Sequence, residues 1–195
     1  MTQCADDVRN SMPLFQSGRG GVTPTSALQL RVSECGMRRA QELNALWHSV
    51  LSDTFLGNLV GNKRNVAYVA EVETFAYAVA IWTTPIAANR LRDGWDLLEL
   101  RRMAIADDAP KNTASRMLAV MTRMIRKKWP EVKRLISYQA EDHHKGTIYK
   151  AAGWRAVARS EAATWHVGES RADMQTTSGK VRWELSMPNA EADRT

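Results

Sequence analysis

Leu97-Leu98-Glu99-Leu100-Arg101-Arg102-Met103-Ala104-Ile105, then Ala106-Asp107-Asp108-Ala109-Pro110-Lys111-Asn112, then Thr113 to Lys128, is the stretch that decides the fold. The first nine residues read as a strand. The middle seven, with two aspartates and a proline, read as a turn. In the last part Met117, Leu118, Met121, Met124 and Ile125 fall at offsets 0, 1, 4, 7 and 8, one face of an amphipathic helix. Asn112 stands at the expected N-cap, and Pro130 stops the helix.

Outward from this unit the elements keep alternating. Downstream, Val132 to Tyr138 reads as a strand and Gly146 to Ala152 as a short helix ended by Gly153. Trp154 to Ala158 and Lys180 to Leu185 read as closing strands. Upstream, Leu28 to Val32 alternates like a strand, and Ser33 with Glu34 opens a helix. Met37, Ala40, Leu43, Leu46, Trp47 and Val50 share a face of that helix. Val66 to Val72 and Phe75 to Trp82 form a hairpin around Glu73-Thr74. The order β-α-β-β-β-α-β-α-β-β predicts an α/β (α+β) fold, with one mostly antiparallel sheet and helices on both faces. The domain boundaries expected are an irregular lead-in over 1–26, one folded domain over 27–187 and a mobile tail over 188–195.

The chain has 195 residues, 44% hydrophobic and 25% charged, with a mean hydropathy of -0.39. Chains this long bury roughly 70% of their unfolded surface, so one core suffices. No run of about 18 apolar residues is present, which excludes a membrane helix. Met1 to Met12 lacks the apolar stretch of a secretory signal. Cys4 and Cys35 make neither a disulfide framework nor a four-ligand zinc site, and a reducing, cytoplasmic setting is expected. A net charge of +6 and a pI near 9.6 favour anionic partners such as nucleic acid or a phosphorylated cofactor.

Candidate functional residues follow, each beside its plain alternative. The turn before the Thr113 helix presents backbone N–H groups and a positive dipole end, a seat for phosphate. Lys111 and Arg116 add charge there; an ordinary capped helix has the same features. Arg116, Arg123, Arg126, Lys127, Lys128, Lys133 and Arg134 face only Glu131 between positions 113 and 134. They form either a solvated face or a phosphate-contacting one. Arg101, Arg102, Lys145, Lys150 and Arg155 are further nucleic-acid candidates. Tyr149 either caps the core or handles a proton. His48 either satisfies a helix end or serves as a ligand. Asp142, His143 and His144 are solvated loop residues or, with His48, hold a divalent metal such as iron or zinc. Trp82, Trp95, Trp165 and Trp183 fill the core or stack a base.

The strand-loop-helix-strand-short helix series resembles the GCN5-related N-acetyltransferase (GNAT) superfamily, which holds the coenzyme A pyrophosphate on that loop. The resemblance implies a GNAT-like sheet with a splayed strand pair, and a donor seat over Lys111, Asn112, Thr113, Ala114, Ser115 and Arg116. The family loop is glycine-rich, whereas Pro110 to Ser115 contains no glycine.

A closer resemblance is carried by three blocks: Leu98-Glu99-Leu100-Arg101-Arg102-Met103-Ala104 running on to Arg116; Ile136-Ser137-Tyr138-Gln139 with His144-Lys145-Gly146-Thr147-Ile148-Tyr149-Lys150-Ala151-Ala152-Gly153-Trp154; and Lys180-Val181-Arg182-Trp183-Glu184. Together these resemble the Mom-like DNA modification proteins of phages and prophages, over roughly residues 28 to 185. The resemblance implies an enzyme converting adenine in double-stranded DNA to N6-carbamoylmethyladenine, which shields phage DNA from restriction in the infected host. It also implies a catalytic role for Tyr149 and a catalytic or metal-binding role for His48, beside which His144 is the candidate second metal ligand. The donor implied is acetyl-CoA or another acyl or glycyl carrier.

The family pattern continues Ser-Tyr-Gln with Asp, and Ala140 stands here instead. Either Glu141 or Asp142 takes over that role, or this copy is impaired. The other readings are an acetyl-CoA-dependent N-acetyltransferase of a small amine or protein, and a non-catalytic DNA-binding module. The partners expected are double-stranded DNA and no membrane, with a homodimer left open.

Overall fold

The computed structural model describes residues 23–47, 64–85, 90, 96–142, 145–161 and 178–187. Strands β1 (Arg31–Cys35), β2 (Asn65–Val72), β3 (Phe75–Thr83), β4 (Leu97–Ile105), β5 (Arg134–Ala140), β6 (Arg155–Ser160) and β7 (Lys180–Ser186) form one sheet. Helices α1 (Met37–Trp47), α2 (Thr113–Lys128) and α3 (Thr147–Ala151) interleave with them. The spatial order is β1-β2-β3-β4-β5-β7-β6. Among the described residues every pairing is antiparallel except β4 with β5.

That one parallel pair shapes the molecule. β4 and β5 pair only from Leu97↔Arg134 to Leu100↔Ser137. Past that rung β4 stays with β3, as in Ala78↔Ile105, while β5 stays with β7, as in Ala140↔Lys180. The two strands therefore part. A bulge sits at the same level: Trp82 faces Leu100 and Ile81 faces Arg102, leaving Arg101 as the extra residue. Bulges of this kind bend a strand and raise its twist, which carries β4 away from β5.

The sheet is packed on both faces, as the alternation of elements predicts. On one face Met117, Leu118, Met121 and Ile125 of α2 join Tyr68, Ala78, Ala80, Trp82, Leu98 and Leu100. Each large side chain buried there contributes roughly 1.5–3 kcal/mol. On the other face Ala40 and Leu43 of α1 lie on Ala67, Val69, Val79, Ile81 and Ala104.

Four expectations shift. The Ser26 side chain accepts from the Leu28 N–H and Gln29 Oε1 accepts from the Ser26 N–H. This capping box closes a 3-10 turn over Ala27–Gln29. Leu28 is left 76% exposed and the strand begins at Arg31. Ser33 and Glu34 do not open the helix; they pair with Val69 and Tyr68 inside β1, and α1 starts after Gly36. Leu46 is 37% exposed, outside the buried stripe. β5 begins two residues later than expected, because the N–H groups of Lys133 and Arg134 are both held by the Asp96 carbonyl. Val50, the first 22 residues and the tail over 188–195 lie outside the described residues.

Candidate active site

The mouth of the splay on the α2 side holds a cavity of about 200 Å³. Ile105 at the end of β4, Pro110, Asn112 to Ser115 at the start of α2, and Thr147, Ile148 and Ala151 of α3 line it. The loop that forms it has no glycine because Asn112 takes over the glycine conformation, at φ 68° and ψ 8°. Asparagine tolerates this left-handed region better than most residues. The Asn112 side chain makes no cap hydrogen bond, which corrects its expected mode of capping. Thr113 Oγ1 donates instead to the Pro110 carbonyl at 2.7 Å. Inside a helix the N–H groups of Ala114 and Ser115 have no carbonyl partner, and both residues line the cavity.

Tyr149 stands on α3, buried in an aromatic cluster and outside the lining of this cavity. Its ring stacks on Trp183 of β7, with centroids 5.3 Å apart and planes 13° from parallel. Trp154 tilts against it at 5.6 Å, and Trp82 packs on Trp154 at 6.2 Å. Such ring pairs add stabilisation beyond the area they bury. Tyr149 Oη lies 2.8 Å from Ser137 Oγ, and Ser137 Oγ reaches the Leu100 carbonyl at 3.5 Å. Burial pushes the phenol's pKa up, and the Ser137 hydrogen bond works against that rise. A phenol held protonated in this way acts as an acid or hydrogen-bond donor, not a base.

Trp183 Nε1 donates to Gln139 Oε1 at 2.7 Å, and both side chains border Gly146. A Cβ at Gly146 would lie 2.2 Å from Trp183 Cζ2 and 2.6 Å from Gln139 Oε1, on a backbone at φ 70°. Glycine is required on both counts.

The α1 face of the splay has a different character. Glu99, buried in β4, is ion-paired with Arg101, whose side chain is 13% exposed. Tyr138, one residue past the last shared rung, is 37% exposed. Its phenol pKa is raised by burial, and against that stand the charge and hydrogen bond of Arg90. Glu99 and Arg101 also act on it, so all four groups meet here.

The expected site residues divide accordingly. Asn112, Thr113, Ala114 and Ser115 line the cavity. Lys111 is exposed beside it. Arg116 turns elsewhere: its Nε donates to the Ala27 carbonyl at 2.7 Å and its Nη2 to the Leu30 carbonyl at 3.4 Å, tying the first turn to α2. Arg102 is partly buried, donates to the Arg101 carbonyl at 2.7 Å, and has its pKa lowered to about 10 by burial and the neighbouring Arg101 charge. Lys145, Lys150 and Arg155 are exposed around α3 and β6. Ala140 is half-buried in β5, Asp142 is exposed, and Glu141 pairs with Arg159 at 3.4 Å. Trp82 and Trp183 are core residues, so neither is open to a base. His48, His143, His144, Trp95 and Trp165 lie outside the described residues. Among the described residues no three His, Cys, Asp or Glu side chains form a metal cluster, and no helix is long and apolar enough to cross a membrane.

Sequence reasoning missed Ser137, Gln139, Glu99 and Tyr138 as site residues. Alternation along β4 and β5 marks which side chains share a face. Only the register shows where the strands stop pairing.

Residues 72–192 match the Mom protein family, well over half of the chain. The chain belongs to the Mom family. No curated protein matches it in sequence. In three dimensions it is similar to a Bacillus subtilis acetyltransferase solved with CoA, with a TM-score of 0.59 and 14% identity over 81% of this chain and 99% of that one. The ribosomal-protein-S18-alanine N-acetyltransferase of Escherichia coli gives 0.58 and 14%, covering 83% and 97%. The spermidine/spermine N-acetyltransferase of Vibrio cholerae, solved with manganese ions, gives 0.58 and 11%, covering 87% and 99%. This Mom family chain therefore has the GNAT fold that its sequence resembles, including the splayed pair.

Proposed function

We propose that this chain is a transferase that modifies the N6 amine of adenine in double-stranded DNA, converting it to the N6-carbamoylmethyl form, and that it works in the cytoplasm of a phage-infected cell. Membership of the Mom family supports the DNA substrate. The parted β4–β5 pair, with a cavity against the start of α2 at one mouth, is the observation that carries a group-transfer reading.

The residues present fit a phosphate-bearing donor. Asn112 in the left-handed region turns the loop, and the Ala114 and Ser115 N–H groups face the cavity at the positive end of a 16-residue helix. A donor bound there would supply a –CH2–C(=O)–NH2 equivalent through a new bond from N6 to its CH2 carbon, with the rest of the donor leaving and the N6 proton lost, because direct acyl transfer would give an amide instead. Gly146 lets α3 lie against Trp183, and that contact holds Tyr149 at the fork. Ser137 fixes the phenol oxygen at the fork. The raised pKa keeps a proton on Tyr149 Oη, ready for a leaving group or a developing negative charge. The exocyclic amine of adenine is a poor nucleophile inside a stacked duplex, so the base must leave the helix to reach this fork.

Nucleoside mass spectrometry on DNA from cells expressing the protein tests the reading. A modified deoxyadenosine is expected, at a higher level from an Ala140→Asp version run alongside. Only unmodified deoxyadenosine from both proteins overturns it. The cavity also suits the second reading, an acetyl-CoA-dependent N-acetyltransferase. Coenzyme A binding by calorimetry without any DNA affinity favours that alternative.

A further inference from the structure

The donor cavity lies on the α2 side of the sheet, and the exposed ring of Tyr138 stands on the α1 side of the same fork. We propose that Tyr138, Glu99 and Arg101 form the acceptor subsite there, with Tyr138 as the stacking platform for an adenine ring and the Glu99–Arg101 pair reading its Watson–Crick edge. This rests on the transferase reading above and extends it to a named recognition surface.

The first observation is placement. Positions on either side of Tyr138, Ser137 and Gln139, are buried, and the strands flanking β4 and β5 are close-packed. Tyr138 alone in this stretch of β5 is an exposed large side chain. It follows the last β4–β5 rung at Leu100↔Ser137, so its ring stands at the edge of the gap. An aromatic ring left bare beside guanidinium groups is the arrangement that accepts a flat base, because every base presents a π face.

The second observation is hydrogen-bonding capacity. Glu99 is a buried carboxylate, and among the described residues its hydrogen-bond partner is Arg101 Nη1. An ionised carboxylate offers about four lone-pair sites, so acceptor capacity remains. Arg101 is the bulged residue of β4, and among the described residues its Nε–H is buried without a hydrogen-bond partner. Side by side, then, stand an acceptor with room for another donor and a donor lacking an acceptor. The Watson–Crick edge of adenine presents the complement, an N6–H donor beside the N1 acceptor. Guanine presents the reverse, an O6 acceptor beside an N1–H donor. With the sugar held at the open mouth of the fork, so that the ring cannot turn over, the pair therefore selects adenine, and it holds the N6 amine close to a carboxylate on the strand that borders the donor cavity at Ile105.

Deoxyadenosine is the probe, because without a phosphate it does not compete for the donor cavity. NMR titration of the full chain with deoxyadenosine and deoxyguanosine is compared for wild type, Tyr138→Ala, Tyr138→Phe and Glu99→Gln, with a thermal melt confirming that each variant folds. Wild type is expected to bind deoxyadenosine saturably and in preference to deoxyguanosine. Tyr138→Ala should weaken binding about tenfold, and Tyr138→Phe should stay within about twofold of wild type because it keeps the ring. Glu99→Gln should erase the preference between the two nucleosides; if it does not fold, the Tyr138 pair decides. Equal affinity in wild type and Tyr138→Ala, or no saturable deoxyadenosine binding by wild type, overturns the proposal. The expected binding pattern without any modified nucleoside in cellular DNA instead overturns the DNA-modification reading and leaves the subsite standing.

Discussion

The phenol oxygen of Tyr149 lies 2.8 Å from Ser137 Oγ, and Ser137 faces Leu100 on the last rung that β4 and β5 share. One hydrogen bond thus pins a buried acid to the point where the sheet opens. Trp183 holds the ring from below, which leaves the hydroxyl as the polar end of an otherwise apolar cluster.

Tyr149→Phe separates chemistry from packing. The ring keeps its stack on Trp183, so the loss of stability should be about 1 kcal/mol, that of one hydrogen bond. The modification rate should fall about 100-fold or more, measured by nucleoside mass spectrometry over time. Because the phenol's pKa is raised, wild-type activity should persist through the ordinary tyrosine range and decline only above it. A rate unchanged by Tyr149→Phe would remove the acid role.

Gly146→Ala introduces a Cβ into Trp183 and Gln139 on a left-handed backbone. The expected cost is about 3 kcal/mol from overpacking and strain, seen as a lower urea midpoint. Tryptophan emission should change with it, since Trp183 is the group displaced. An unaltered midpoint would show that α3 can move away from β7 at little cost.

Asn112 should tolerate glycine and reject valine. At φ 68° glycine is free of Cβ strain, so Asn112→Gly should lie within about 0.5 kcal/mol of wild type. Asn112→Val should lose about 1–2 kcal/mol and weaken donor binding by distorting the start of α2. Equal stability of the two variants in thermal melts would contradict the left-handed assignment.

Cys35 should alkylate slowly at pH 8. Burial, with Glu71 and Glu34 nearby, pushes its pKa to about 11 although Arg39 opposes the rise, so little thiolate exists at neutral pH. The native state keeps this proton longer than the unfolded chain does. The cysteine's contribution to stability is therefore complete below the unfolded value near 9 and diminishes as pH rises toward 11. Iodoacetamide kinetics from pH 7 to 11 check both statements; rapid labelling at pH 8 would refute them.

The central unit was legible because its period changes from 2 to 3.6 at Asn112, and the residues that decide it are apolar and numerous. β4 spans Leu97–Ile105, as its composition predicts, and α2 buries Met117, Leu118, Met121 and Ile125 at the expected spacing. β1 was misplaced because a local capping box between Ser26 and Gln29 outcompetes the alternation of Leu28 to Val32. The α2 side of the site was legible through its loop. The α1 side was not: the roles of Glu99 and Tyr138 depend on where β4 and β5 stop pairing and on the bulge at Arg101, and both are tertiary facts. A buried carboxylate in an apolar strand was the one available signal.

β7 is the last strand in sequence, yet it lies between β5 and β6 and delivers Trp183 to the ring of Tyr149. During synthesis on the ribosome, everything through β6 emerges before the strand that β6 must pair with. Until residues 180–186 are made, β5 has no β7 to pair with and the phenol has no Trp183 to stack on. A chain cut short before Lys180 would therefore lack Trp183, the stacking support of the proposed acid Tyr149.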